Sequence, residues 1–170
     1  TSDVPINAHG GGVLRHGGTD FWFGEHKTEG EAGNTAQVGF RCYSSRNLYD
    51  WKDEGVALAV SNVPDHPIAK GNILERPKVL FNAASGKFVM WFHLDNPSYT
   101  WAWSGVAIAD QPAGPYEFLH AMRPNAGNWP VNIRPEQQDG KSISAEQALG
   151  ETLSCGENPE TPKHNVIGRD

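Results

Sequence analysis

The chain has 170 residues, a formal net charge of −6 and 38% hydrophobic residues, enough for one domain with a sizeable core. No Lys/Arg cluster reaches the density of a phosphate-binding footprint, which argues against a nucleic-acid partner, and no apolar run approaches the ~20 residues of a membrane span. Modest apolar content with 19 glycines, 12 prolines and many aromatic residues favours a loop-rich all-β protein over a helical one.

The chain opens at Thr1-Ser-Asp-Val with no signal peptide, so an export signal is expected either to have been removed or never to have been present. Asn7-Ala-His-Gly-Gly-Gly12 then precedes the first strand-like run. Its glycines admit positive φ and close backbone approach. The context of a phosphate loop is missing, because no helix and no Lys-Ser/Thr pair follow. His9 fits a ligand-binding donor or a satisfied structural histidine equally well.

Four runs come next. Gly12–Gly24 is two apolar runs around a His-Gly-Gly turn, Gln37–Ser45 is a third, and Gly55–Val60 is a fourth, reached through Asn47-Leu-Tyr-Asp-Trp51. The same order recurs. Lys78–Trp91 repeats the hairpin, with Val13 mapping on Val79 and Phe21 on Phe88. Ser104–Asp110 repeats the third run and Glu117–His120 the fourth, reached through Gln111–Tyr116. The period is about 65 residues, and four antiparallel strands at that period are the sequence form of a β-propeller blade with long loops. A hairpin sandwich would not require the same four-run order twice.

After Asn125 the pattern stops. One short strand within 125–133 and a short helix at 145–149 behind a Ser144-x-x-Gln147 capping box are expected, and residues 151–170 read as loop. The division is therefore 1–133 for two blades and 134–170 for a loop-rich tail, and the chain reads as the front part of a larger protein. Cys42 lies in a strand-like run, where a free buried thiol is the ordinary state. A bond to Cys155 would close a very long loop, worth roughly 4–5 kcal/mol.

The carboxylates of interest are Glu25, which ends the second run of the first repeat, and Glu75, which opens the second repeat just before Arg76 and Pro77. Pro77 removes a backbone donor and belongs on an edge or at a strand's first position, which sets Glu75 at the mouth of a β-element. Residues at first-strand ends converge near a propeller's axis, and paired carboxylates across a pocket suit glycoside hydrolysis. The plainer alternative is a surface ion pair of Glu75 with Arg76 or Lys78. Tyr99, Trp101 and Trp103 alternate after Asn96-Pro97 and suit a sugar-stacking platform, unless one face is core. The seven histidines show no metal-ligand spacing, and no nucleophile elbow is present, so no metal or cofactor is expected.

Taken together, Ile6–Val13, Phe21–Lys27, Tyr43-Ser-Ser45 with Leu48–Trp51, Ile73–Val79, Val89–Asp95 and Met122–Gly127 resemble glycoside hydrolase family 43. These are five-bladed β-propellers, and the branch that matches contains exo-β-1,3-galactanases. The resemblance covers most of residues 5–133 and implies inverting hydrolysis of a plant oligosaccharide or polysaccharide, with the remaining blades as partners. An arabinofuranosidase or β-xylosidase of the same fold, or a non-catalytic sugar-binding propeller, are the rivals. Glu75 falls where the family places its pKa-tuning carboxylate. Glu25 and Tyr99 fall where the branch's sugar-contacting residues are expected, and His9 and His93 follow from position. The base Asp of most members has no counterpart near Gly10, a departure the galactanase branch shares. The general acid stands in a Glu-Ala-Pro or Glu-Gly-Pro setting of a later blade, absent from these residues. The implied substrate points to an extracellular or periplasmic location.

Overall fold

A computed structural model describes residues 5–124. The strand expected within 125–133, the helix at 145–149, the loop of 151–170 and Cys155 lie outside the described residues.

Eight strands form two four-stranded antiparallel sheets, each in simple up-and-down order. The first contains β1 (His9–His16), β2 (Thr19–Lys27), β3 (Gln37–Ser45) and β4 (Lys52–Ala59). The second contains β5 (Ile73–Asn82), β6 (Lys87–Asp95), β7 (Trp103–Ala109) and β8 (Glu117–Met122). This is the order read from the repeat. Apart from one 3-10 turn at Gly33–Thr35, no helix occurs among the described residues.

The turns explain the hairpins. Gly17 and Gly18 both take positive φ, which the tight two-residue β1–β2 turn needs to match the strand twist. The β5–β6 turn is longer. Asn82 accepts the N–H groups of Ala84 and Ser85 on its side chain, and its carbonyl accepts that of Gly86.

The longer second turn shifts one expected correspondence. Val13 pairs with Trp22 and Val79 with Met90, so Val13 does match Val79. Counting along β2 and β6 from those pairs, however, Phe21 matches Val89 rather than Phe88.

The sheets pack face to face, with β5 lying against β1, β2 and β3. Phe40 meets Phe92 edge-on at 5.1 Å, and Phe23 meets Tyr116 at 6.0 Å. Phe23, Phe40, Leu74, Met90 and Leu94 are fully buried, each contributing about 1.5–3 kcal/mol. Two polar ties join the sheets: the Gln37 amide donates to the Leu74 carbonyl at 2.5 Å, and the Tyr116 N–H to the Ala57 carbonyl at 2.7 Å.

Equivalent positions differ in burial according to which face has a neighbour. Val79 faces the first sheet and is 7% exposed, while its counterpart Val13 faces away and is 59% exposed. On the opposite face the order reverses: Leu14 packs on the core and Leu80 is exposed. The two sheets are thus successive, similarly oriented blades.

Candidate functional site

The first strands of the two sheets, β1 and β5, lie against each other, and both carry a bulge at the same place. In β1 the register shifts between His9 and Gly12, and in β5 between Glu75 and Lys78. Gly10 and Arg76 are counterparts in these bulges and take nearly the same left-handed conformation, φ +60° and +55°. For an arginine this conformation is strained, on the order of 1–3 kcal/mol. Pro77 sits buried in the second bulge on an edge strand, where its missing donor costs no ladder bond. Glu75 is therefore inside the β5–β6 ladder, opposite His93, rather than at a free strand mouth.

The bulges aim the site. Glu25, on β2 opposite His9, is 2% exposed. Its Oε1 accepts the Arg76 N–H at 3.2 Å across the blade boundary. Lys27 Nζ stands 2.6 Å from its Oε2, an ion-pair contact, with His9 Nδ1 at 3.5 Å. The Arg76 N–H on one oxygen and the Lys27 and His9 charge contacts on the other fix the carboxylate in place. A Cβ at Gly10 would fall 2.6 Å from Glu25 Oε1, so the β1 bulge leaves room for the carboxylate.

Half-buried Glu75 accepts a hydrogen bond on Oε1 from the Tyr99 hydroxyl at 2.8 Å, and the Asn34 amide donates to the same hydroxyl at 2.5 Å. Among the described residues, Glu75 is in no ion pair. Lys78 instead donates to the Gly11 carbonyl at 2.8 Å, so the surface pairing with Arg76 or Lys78 is not formed. The Tyr99 ring stacks on the His93 imidazole, centroids 6.4 Å apart at 12°. His93 is 3% exposed, with Nε2 3.3 Å from Asp95 Oδ2. Burial opposes ionisation of Asp95, but the His93 contact and the N–H groups of Trp101 and Ala102 hold its carboxyl below the usual carboxylate range.

All five residues singled out in the sequence thus lie in one run of contacts: His9 to Glu25, Glu25 through Arg76 to Glu75, then Tyr99 and His93. The three-aromatic platform does not form as a row. The loop turns at Tyr99 (φ +55°) and Ala102 (φ +47°), so Tyr99 swings to Glu75 while Trp101 and Trp103 stack on each other at 4.6 Å. A hollow of about 270 Å³ opens beside the cluster, bordered by Gly10, Arg76, Trp91 and His93. Sequence reasoning missed Lys27, Asn34, Arg76 as a backbone donor, and Asp95. The available signal was the alignment of Gly10 with Arg76, which marks a shared bulge.

Two carboxylates of this kind can accept hydroxyl groups of a polar ligand and impose a negative field, and an aromatic ring beside them can cover a sugar face. Among the described residues no group of His, Cys, Asp and Glu is arranged to hold a metal ion.

No family model and no curated protein matches the chain. Solved structures do. A GH43 β-1,3-galactosidase with galactodeoxynojirimycin is 50% identical, with TM-score 0.70, over 80% of this chain and 39% of its own. An exo-β-1,3-galactanase from Phanerochaete chrysosporium, with β-1,3-galactotriose, is 38% identical over 72% of this chain and 27% of its own, TM-score 0.65. One from Clostridium thermocellum is 36% identical over 74% and 26%, TM-score 0.64. The chain spans about a quarter to two-fifths of the length of these proteins.

Proposed function

We propose that this chain, whose two blades are those of glycoside hydrolase family 43 in its exo-β-1,3-galactanase branch, supplies half of an inverting active site that releases terminal galactose from β-1,3-galactan. The observation that carries the reading is the contact between Tyr99 and Glu75 beside the anchored Glu25, at the inner ends of adjacent blades. Glu25, Tyr99, His9 and His93 bind and orient the terminal sugar. Glu75 works through its charge: a carboxylate near the general acid raises that acid's pKa, so it stays protonated near neutral pH. The acid itself comes from a further blade of the intact protein, and the blades on either side cover the open faces of these two. Without that acid the 170-residue chain binds sugar weakly and does not turn it over. A polymeric substrate supports an extracellular or periplasmic location.

The test is Glu75→Gln in the full-length protein, which keeps shape and removes charge. With β-1,3-galactan as substrate, turnover falls a hundredfold or more, the scale of one acid–base group, while the melting temperature is unchanged. Unchanged turnover would reject the role of Glu75. Binding of β-1,3-galactooligosaccharides with no turnover in the wild type would favour a sugar-binding propeller.

A further inference from the structure

The loop between β6 and β7 carries Tyr99, yet its shape is set from beneath. Asp95, the last residue of β6, is 0% exposed. Its Oδ1 accepts the N–H groups of Asn96 at 3.0 Å and Trp101 at 2.8 Å, and its Oδ2 accepts that of Ala102 at 3.3 Å. All three donors belong to the Tyr99 loop. Oδ2 also lies against His93, on which the Tyr99 ring stacks.

This loop does not hold its conformation by local preference. Tyr99 and Ala102 both take positive φ, which side-chain-bearing residues rarely adopt. Asn96 closes the outer half of the loop by accepting the N–H groups of Ser98 and Thr100. The inner half, Trp101 and Ala102, is gripped by Asp95 on its N–H side. Arg123 grips its carbonyl side, with Nε and Nη2 donating to the Trp101 carbonyl at 2.9 and 2.7 Å. A buried carboxylate is costly unless several donors converge on it, and here the converging donors are the loop backbone.

We infer that Asp95 is a positioning residue that fixes the Tyr99 loop so that the Tyr99 hydroxyl stays on Glu75. Asp95 borders the site without lining it: it is fully buried and reaches Glu75 through the loop and Tyr99, and through His93, on which the Tyr99 ring stacks. The inference deepens the proposed function and rests on it for the activity readout, but its structural arm does not.

The experiment has two arms. In the wild-type 170-residue chain, amide hydrogen exchange reads the clamp directly. The Trp101 and Ala102 amides exchange about a hundredfold or more slower than unprotected amides, as hydrogen-bonded groups do. Exchange at the unprotected rate overturns the inference whatever the protein catalyses. In the full-length protein, kcat and KM on β-1,3-galactobiose are measured for Asp95→Asn, Tyr99→Phe and the double variant. Each single change lowers kcat/KM about tenfold or more, and the double variant is no worse than the more impaired single, because Asp95 acts through Tyr99. Multiplying effects in the double variant, or an unaltered kcat/KM in Asp95→Asn, overturn it. If Asp95→Asn does not fold, the exchange arm alone decides. A wild type that turns over no β-1,3-galactoside sinks the functional reading and leaves the exchange result to judge the clamp.

Discussion

Cys42 shows how strongly two blades alone can desolvate a group. Its side chain is fully buried on β3 between the sheets. Burial first, and then the charges of Glu54 and Asp53, push its thiol up to about 12. The thiolate is the reactive species, so a thiol titrating there is nearly all protonated at ordinary pH. In the native 170-residue chain at about pH 8, where a free thiol near its usual pKa of ~8.5 reacts readily, Cys42 stays unmodified by iodoacetamide. It becomes labelled once the chain is unfolded in denaturant. Peptide mapping by mass spectrometry reads the site directly, and rapid native labelling of Cys42 would mean that the contact between the sheets opens. The site carboxylates sit in a different setting: Glu25 has an ion-pair contact with Lys27 and a hydrogen bond from the Arg76 N–H, and Glu75 a hydrogen bond from the Tyr99 hydroxyl.

Between elements, the contact of the two sheets depends on a space left on β7. Gly105 pairs with Phe92, and a Cβ there would fall 2.3 Å from the Phe92 ring. That ring is the one meeting Phe40 of the first sheet edge-on. Gly105→Ala therefore pushes Phe92 off its neighbour and costs about 1–3 kcal/mol, the range for overpacking a filled core. Urea denaturation measures it, and a loss within ~0.5 kcal/mol, as for a surface substitution, would show that Phe92 has room to move. Elements of this kind were legible in the sequence to different depths. Turn residues and β-branched or aromatic runs gave the number and order of the strands, and Val13 and Val79 aligned the blades, but the starts were misplaced: His9–Gly12, read as lying before the first strand, opens β1, and β4 begins at Lys52 rather than Gly55. The match of Phe21 with Phe88 failed because loop length, not apolar spacing, set the β6 register. Glu25 and Glu75 could be singled out because strand ends converge, Tyr99 because aromatics alternate after Asn96-Pro97, and His9 and His93 from where the family resemblance put them. The donors that hold them could not, since Arg76 acts through its backbone and Asp95 through a loop whose fold rests on two positive-φ residues.

For the whole molecule, the unequal burial of equivalent residues is a record of which faces are covered. Val13 and Val79 occupy the same blade position, yet one is 59% and the other 7% exposed. If the intact protein closes into a ring, a further blade covers Val13 as the first sheet covers Val79, because each blade buries its faces against neighbours. A charge reports this cleanly. In the 170-residue chain Val13→Lys leaves its ammonium in water and changes stability by no more than ~0.5 kcal/mol. In the full-length protein the same lysine is forced into an apolar contact without a partner, and the loss reaches several kcal/mol. Val79→Lys is severe in both, since its face is already covered. Urea midpoints with matched slopes give all four values. A Val13→Lys substitution that is silent in the full-length protein as well would mean that this face stays open to solvent, and a closed propeller would then have to be abandoned.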